Sequence, residues 1–262
     1  MELTDAQFER YARHLILDEV GDEGQEKLLQ SRVLVIGAGG LGAPMLLYLA
    51  AAGVGTIGIV DDDHVDLSNL QRQVIHMTDQ VGTAKTQSAA KTIAAVNPDI
   101  IVHQHALRLS ADNVMALIRD YDVIADGSDN FATRYVLNDA CHLAGKTLVA
   151  GALLRFEGQL STYRSGVSGH QGEPCYRCLF PVAPPAGTVP RCDEAGILGA
   201  VAGVIGTLQA TEIVKEILAL GDSMSGRFML YDSLAGSFRT VKFKRNPECP
   251  LCGDQPSIHS LR

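Results

Sequence analysis

The amino-acid sequence predicts an α/β fold in which helices cover both faces of a mostly parallel β-sheet. Three observations support this prediction. Short apolar runs alternate with helical patterns between residues 32 and 144, the first run ends in the glycine-rich "GAGGLG", and two-residue alternation replaces this pattern after residue 147. Apolar strands separated by helices are typical of a buried parallel sheet, whereas later alternation predicts an antiparallel C-terminal extension.

The elements of the N-terminal half follow from these patterns. A helix is predicted over residues 4–17, because Thr4 and Gln7 have the spacing of a capping box. Strands are then predicted over 32–37, 55–61, 100–105 and 121–126, and helices over 41–53, 83–96, 111–119 and 130–144.

The C-terminal half predicts a hairpin, a long helix and a final strand pair. "TLVAGALLRFEGQLSTYR" indicates two strands around a turn at Glu157-Gly158. The proline-rich residues 181–190 exclude helix and central strand. A helix over about 195–220 places Gly199, Gly203 and Gly206 on a close-packing face, and residues 226–245 form the last strand pair.

Composition excludes several classes of protein. The hydrophobic fraction of 46% and charged fraction of 20% are ordinary for a folded domain. The net charge of −8 argues against general nucleic-acid binding. The longest apolar run, residues 197–208, is too short to span a membrane, and the polar N-terminus does not resemble a signal peptide. We therefore expect a cytoplasmic protein with neither a nucleic-acid nor a membrane partner.

The glycine-rich segment has the fingerprint of a dinucleotide-binding, Rossmann-like fold. Gly37, Gly39 and Gly42 are spaced G-x-G-x-x-G after an apolar run, and Asp61 follows 19 positions after Gly42, at the close of the next run. In that fold the glycines approach a pyrophosphate and the carboxylate binds a ribose. An NAD-dependent oxidoreductase is thus one interpretation of this segment.

Charged residues beyond the strands favour a different nucleotide. Arg72 follows the second strand and Lys85 begins the next helix, so two cations meet the glycine loop at the carboxyl edge of the sheet. Two cations suit a triphosphate better than a single pyrophosphate bridge. Asp129, after the fourth strand, suits Mg²⁺. Any one of these residues alone would more often be a solvated surface charge.

The cysteines predict a metal site. Cys175 and Cys178 form one C-x-x-C motif, and Cys249 and Cys252 form a second one 70 residues later. In a reducing compartment this pattern is typical of a tetrahedral structural zinc ion with four thiolate ligands. Two redox motifs or a disulfide framework are the alternatives. Cys141, inside a helical pattern, is predicted to be a small buried side chain.

Six segments together resemble one family. "GAGGLG", "SNLQRQ", "VGTAK", "DGSDN", "GEPCYRCL" and "RNPECPLCG" span essentially the whole chain. The chain is similar to the HesA/MoeB/ThiF family of ubiquitin-activating-like adenylyltransferases, which activate ubiquitin-fold sulfur-carrier proteins. The branch that serves molybdopterin synthesis is the closer match, and the thiamine branch stays open.

The resemblance implies a reaction, cofactors and partners. ATP with Mg²⁺ would adenylate the C-terminal Gly-Gly carboxylate of the carrier, and an external persulfide donor would supply sulfur later. One structural zinc ion per chain and a homodimer are also implied. The chain would be a single domain over residues 1–262, with a nucleotide-binding part at about 30–150 and a zinc-stapled, carrier-binding part at about 151–262.

The resemblance also assigns roles to individual residues. Gly40 would contact the nucleotide, Asp61 the ribose and Asp129 the Mg²⁺. The implied nucleotide-binding set is Gly37, Gly39, Gly40, Gly42, Asp61, Asp63, Ser68, Asn69, Leu70, Gln71, Arg72, Lys85, Asp129 and Asn130. The implied catalytic residues are Arg72, Lys85, Asp129 and Arg13.

Two of these assignments keep an alternative. In the family, an arginine at the position of Arg13 reaches the nucleotide site of the neighbouring subunit, although the sequence alone allows a surface arginine. A cysteine at the position of Cys192 carries sulfur or a covalent carrier link in the thiamine branch, whereas adenylation in the molybdopterin branch does not depend on it. Cys192 is therefore a candidate nucleophile. A zinc-dependent interaction module without catalysis is the remaining alternative function.

Overall fold

The computed structural model describes residues 3–185 and 195–261. The strands within these residues form one eight-stranded sheet, in the order β3-β2-β1-β4-β5-β6-β7-β8. Their bounds are β1 Arg32–Ile36, β2 Thr56–Val60, β3 Ile101–His105, β4 Val123–Asp126, β5 Thr147–Leu154, β6 Glu157–Tyr163, β7 Arg227–Asp232 and β8 Ser237–Lys242.

The helices of the described residues alternate with the first five strands and then flank the remaining ones. Their bounds are α1 Asp5–Leu15, α2 Gly21–Gln30, α3 Gly42–Ala52, α4 Lys85–Val96, α5 Val114–Ile118, α6 Phe131–Ala144, α7 Tyr176–Leu179 and α8 Gly199–Leu218. No helix in this part of the chain combines the length and apolar content needed to cross a membrane.

The first five strands confirm the predicted Rossmann-like arrangement. All four pairings among β1 to β5 are parallel, and the order 3-2-1-4-5 reverses direction between β1 and β4. One apolar core lies between the sheet and α3, α4 and α8. A second core lies on the opposite face beneath α5 and α6. Burial on both faces explains why these strands are continuous apolar runs.

The remaining strands confirm the predicted antiparallel extension. β6, β7 and β8 follow β5 with antiparallel pairing throughout. Every residue of β8 is exposed, the apolar Phe238 and Val241 included, so the alternation of "SFRTVK" does not correspond to a buried strand face within the described residues.

The predicted turn at Glu157-Gly158 is wrong. Both residues belong to β6, and the chain turns at Arg155-Phe156, where Arg155 has a φ of 54°. Gly158 is a glycine because a Cβ there would lie 2.3 Å from Cγ1 of Ile205 on α8. Glycine inside a strand marks the close approach of another element as well as a turn.

Helix α2 was not predicted from the sequence. It begins at Gly21 without a side-chain cap, and its sequence "GDEGQEKLLQ" carries few apolar residues. Leu28 is completely buried, so tertiary packing rather than local signals stabilises this helix.

Only two of the three glycines predicted to pack closely on α8 have a close neighbour among the described residues. A Cβ on Gly199 would lie 2.2 Å from the carbonyl oxygen of Gln71, and one on Gly206 would lie 2.4 Å from that of Leu41. A Cβ on Gly203 would meet no heavy atom of the described chain within 4 Å. The close packing expected of α8 therefore exists within the chain for Gly199 and Gly206, and not for Gly203.

Candidate functional site

A cleft of about 650 Å³ lies at the carboxyl ends of β1 and β4, where the strand order reverses. Ligands of open α/β sheets bind at this position. The cleft brings together most of the residues predicted from the sequence. Those that line it are Gly37, Gly39, Gly40, Asp61, Asp63, Arg72, Lys85, Asp129 and Asn130.

The glycine loop between β1 and α3 leaves its amides available to a ligand. Gly37 has a φ of 90°, and a Cβ on Gly42 would lie 1.9 Å from the carbonyl oxygen of Gly37, so both positions require glycine. Among the described residues, the backbone N–H groups of Gly39 and Gly40 have no hydrogen-bond acceptor. Free amides before the first turn of a helix form an anion site.

Asp61, at the end of β2, fixes this loop. Its Oδ2 accepts the N–H of Ala38 at 2.8 Å, and its Oδ1 accepts the N–H of Asp63 at 2.9 Å. Burial raises the pKa of Asp61, and the ammonium group of Lys85 and these two amides oppose that shift. Each carboxylate oxygen can accept a further hydrogen bond, so the group remains able to bind a ribose hydroxyl.

Two cations line the cleft together with the glycine loop, and the aliphatic part of Arg72 lies beside Gly40. The side chain of Lys85 is 7% exposed, and its Nζ lies 2.8 Å from Oδ2 of Asp63, whose side chain is 68% exposed. Arg72 donates from Nη1 to the carbonyl oxygen of Ser68 at 3.0 Å. The structure therefore holds both cations at the edge of the cleft, as the sequence predicted.

The loop after β4 presents one free carboxylate. Asp129 is exposed and makes no hydrogen bond or ion pair with any residue in 3–185 or 195–261. The neighbouring Asn130 caps α6, because its Oδ1 accepts the N–H of Thr133 at 2.9 Å. Asn130 therefore has a structural role as the N-cap of α6.

Five of the predicted nucleotide-binding residues do not line the cleft. Gly42 lies within the first turn of α3. Asn69 belongs to a short 3₁₀ helix, Leu67–Asn69, whose capping box with Asp66 also involves Ser68. The five residues are Gly42, Ser68, Asn69, Leu70 and Gln71. The 3₁₀ turn places Arg72, and direct nucleotide contacts by its own residues stay a prediction.

Arg13 lies at the opposite edge of the sheet. The hydroxyl of Tyr11, on the same helix, accepts from Nδ2 of Asn97 at 2.9 Å, and its ring packs against Gly53. Gly53 and Asn97 follow the C-terminal ends of α3 and α4, whereas the glycine loop and Lys85 lie at their N-terminal ends. An 11-residue helix is about 16 Å long. Arg13 is exposed and does not line the cleft of its own chain.

The four predicted metal ligands form one cluster. The Sγ atoms of Cys175, Cys178, Cys249 and Cys252 all lie within 4.8 Å of one another. Individual Sγ–Sγ distances are 3.5 Å between Cys175 and Cys249 and 3.3 Å between Cys178 and Cys252. The cluster joins the segment after β6 to the segment after β8.

Of the two remaining cysteines, the structure describes Cys141. Cys141 is 2% exposed in the second core, and burial raises the pKa of its thiol well above the usual range. It is the small buried side chain that the sequence predicted. Cys192 lies outside the described residues.

Sequence reasoning missed several polar residues that line the cleft, among them Asp62, Gln73, Arg108, Ser128 and Arg134. Arg134 pairs with the fully buried Asp126 at 3.3 Å and donates to the carbonyl oxygens of Ser128 and Gly151. It lies inside a helical pattern, where a single arginine predicts a solvated face. Gln73 had a local signal, since it directly follows Arg72 in "SNLQRQ", and so had Asp62, which lies between Asp61 and Asp63.

Comparison with known proteins decides the family. The model of the ThiF family matches residues 11–251. The chain belongs to the ThiF family. This confirms the resemblance inferred from the six sequence segments. Relatives of the chain in this family carry the name adenylyltransferase. The chain is an adenylyltransferase as well.

Two relatives align along nearly their whole length. The sulfur carrier protein adenylyltransferase of Thermus thermophilus is 47% identical over 100% of this chain and 96% of its own. The SAMP-activating enzyme E1 of Haloferax volcanii is 50% identical over 97% of this chain and 92% of its own.

A solved structure shares the fold. The crystal structure of E. coli MccB with MccA-N7isoASN has a TM-score of 0.81 and 23% identity, and the match covers 93% of this chain and 74% of that one. The ThiF-family fold described above is therefore also present in an experimental structure.

Proposed function

We propose that this ThiF-family protein uses ATP to adenylate the C-terminal Gly-Gly carboxylate of a ubiquitin-fold sulfur-carrier protein. The observation that carries the proposal is the meeting of free loop amides with Lys85 and Arg72 in one cleft. A triphosphate needs that density of positive charge. The name of the Thermus thermophilus relative supports the choice of a sulfur-carrier protein as the substrate.

The chemistry explains which residues the site has. The attacking group is an α-carboxylate, whose pKa of about 3.5 leaves it ionised at neutral pH. No general base is required, and the residues lining the cleft need only position the carboxylate and neutralise charge as pyrophosphate leaves. Lys85 and Arg72 stabilise the phosphate oxygens, and the loop amides hold the phosphates in place.

Asp129 fits a magnesium ligand. Asp129 and Asp62 are both cleft carboxylates that are exposed and unpaired within the described residues, and Mg²⁺ binds proteins through one or two carboxylates plus phosphate oxygens. When bound, Mg²⁺ would neutralise charge on the departing pyrophosphate.

The cysteine cluster fits structural zinc. A tetrahedral site with Zn–S bonds of about 2.3 Å requires sulfur atoms about 3.8 Å apart. The recorded separations of 3.3 to 4.0 Å bracket that value. Four thiolates complete the coordination sphere, so the ion would stabilise the fold and take no part in catalysis.

We further propose that the carrier belongs to the molybdopterin pathway, with a thiamine-pathway carrier as the alternative. The motifs around Cys192 and the ending "YDSLAGSFRTVKFKRNPECPLC" support this choice. An external persulfide donor would complete sulfur transfer after adenylation.

The deciding experiment is ATP–pyrophosphate exchange with added carrier. Purified protein should exchange labelled pyrophosphate into ATP only when a Gly-Gly carrier is present, and a carrier lacking the terminal glycine serves as the control. Molybdopterin-type and thiamine-type carriers tested side by side assign the pathway. Exchange with neither carrier, or reduction of a nicotinamide cofactor instead, would contradict the proposal.

Replacing Cys192 by alanine should leave ATP–pyrophosphate exchange near the wild-type rate. The carrier's own carboxylate is the nucleophile in adenylation, so no thiol is needed for that step. We also expect sulfur transfer to survive when an external persulfide donor is supplied. A thiol-sensitive species at the summed mass of enzyme and carrier, absent from Cys192→Ala, would favour the thiamine-type alternative.

The position of Arg13 predicts that two inactive variants complement each other in a mixed homodimer. Because Arg13 lies at the far edge of its own sheet, we propose that it acts in the partner's cleft. Arg13→Ala and Arg72→Ala chains, each inactive alone, should recover about a quarter of wild-type exchange when mixed, because half the dimers are mixed and each has one intact site. Proven subunit exchange without recovered activity would exclude a role across the dimer.

A further inference from the structure

His76 lies behind the glycine loop, out of reach of the cleft. Its Nε2 is 2.9 Å from the carbonyl oxygen of Ala38, the residue between Gly37 and Gly39. Ala38 is fully buried, and its own N–H is held by Asp61 on the other side. Two side chains from different segments therefore fix the two successive peptide groups around Ala38.

The carbonyl contact determines where the next amide points. In a trans peptide the N–H is directed opposite to the preceding carbonyl, and the described chain has no cis peptide bond. A carbonyl of Ala38 turned toward His76 consequently turns the N–H of Gly39 away from His76. Gly39 lines the cleft, and its amide has no acceptor among the residues described.

The imidazole is itself held from behind. His76 is 4% exposed, and its Nδ1 lies 2.7 Å from Oγ of Ser88, which is 1% exposed and in turn contacts Gln80. The backbone before His76 is tied to α4, because Thr92 donates to the carbonyl oxygen of Ile75 at 2.7 Å. A buried ring that is packed between contacts at both of its nitrogens has little freedom to move.

The contact between Nε2 of His76 and the carbonyl oxygen of Ala38 requires a proton on Nε2, whether the ring is neutral or positively charged. A carbonyl oxygen only accepts, so the contact with Ala38 requires an Nε2–H. Burial lowers the pKa of His76, and the charge of Lys85 acts in the same direction. Ser88 donates its single hydroxyl hydrogen to Oε1 of Gln80 at 2.6 Å, so Nδ1 of His76 receives no hydrogen from Ser88, and the Nε2–H toward Ala38 is present in the neutral ring and in the protonated ring.

We propose that His76 is a positioning residue for nucleotide binding, which holds the Ala38 carbonyl and thereby aims the Gly39 amide at the phosphates. The inference rests on the proposed function, since it concerns how that same cleft binds ATP. His76 touches neither the cleft nor the reacting atoms, so its effect passes through the loop.

Two replacements of similar size separate this role from general packing. Glutamine carries an amide nitrogen that reaches as far as Nε2, so His76→Gln retains a donor for Ala38. Asparagine reaches only the position of Nδ1, so His76→Asn retains a contact with Ser88 and leaves the buried carbonyl without a donor. The matched pair differs chiefly at the contact under test.

The measurement is calorimetric titration with a non-hydrolysable ATP analogue, followed by exchange kinetics. We expect His76→Gln to bind within about threefold of wild type and His76→Asn to bind about tenfold or more weakly, because an unsatisfied buried carbonyl destabilises the loop geometry. The KM for ATP should rise in His76→Asn while kcat changes by less than about threefold. The pH profile of His76→Gln should match wild type, whereas an acid–base role would shift it.

Several outcomes would overturn the inference. Wild-type affinity in His76→Asn, or equal weakening in both variants, would reduce His76 to a packing role. If His76→Asn does not fold, Ser88→Ala removes the support of Nδ1 and should weaken binding several-fold, and unchanged binding there would equally contradict the role. A wild-type protein that binds no ATP analogue would instead contradict the proposed function.

Discussion

Replacing Lys85 by alanine should lower carrier-dependent ATP–pyrophosphate exchange by about 10²–10³-fold, the usual effect of losing one preorganised charge at a developing anion. Its ammonium group is buried at the edge of the cleft with one carboxylate partner, Asp63. Since Asp63 is mostly exposed and Asp61 keeps the N–H groups of Ala38 and Asp63 as donors, we expect the thermal unfolding of the variant to stay close to wild type. Initial exchange rates at saturating ATP and carrier measure the effect.

Helix α4 offers a matched control. Lys91 lies on the same helix, is 70% exposed and, among the described residues, pairs with the equally exposed Asp79 at 3.7 Å. Lys91→Ala should retain full exchange activity. Arg72→Ala should show a loss comparable to that of Lys85→Ala, and near-normal exchange in either cleft variant would contradict the assignment of these two cations to the phosphates.

Replacing Cys249 by serine should release the metal and loosen the C-terminal third of the chain first. In small peptides the apparent free energy of binding structural zinc is about 10–16 kcal/mol, and it supplies nearly all of the folding free energy. Here the first core contains no residue next to a cluster cysteine, whereas the second core includes Tyr176 between Cys175 and Cys178, so we expect partial unfolding. Metal analysis and hydrogen exchange, compared with wild type, test both statements.

The location of the change is the informative readout. Amide exchange should accelerate in the segments that the cluster joins, after β6 and after β8, while strands β1 to β4 stay protected. Cys141→Ala is the control, because that cysteine is buried in the second core and is not one of the four clustered cysteines. Less than one zinc per wild-type chain, or uniform loosening in the variant, would argue against a structural zinc site.

Local sequence patterns predicted much of the fold. The capping box at Thr4 is present with both hydrogen bonds, and the predicted strands and helices appear with their ends shifted by at most four residues. Periodicity and capping act between residues that are near in sequence, so the chain carries these signals in readable form. Helix α2 has neither signal and depends on the burial of Leu28.

Glycine illustrates the limit of local reasoning. At Gly37 and Gly42 the spacing within "GAGGLG" identified the loop, because the constraint arises inside the loop itself. At Gly158 the constraint comes from Ile205, 47 positions away on α8, and local reasoning assigned a turn that does not exist. A residue type reports that space is restricted without saying which element restricts it.

By itself, the sequence determined the Rossmann-like order of elements, the residues at the carboxyl edge of the sheet and the pairing of two C-x-x-C motifs in one cluster. These depend on spacing and on the rule that parallel strands present their ends at one edge. Only the tertiary structure decided that Arg134 and Gln73 enter the cleft, that Arg13 lies at the opposite edge, and that His76 supports Ala38. The reason is physical: these contacts join segments tens of residues apart, and their geometry exists only after the helices have packed against the sheet.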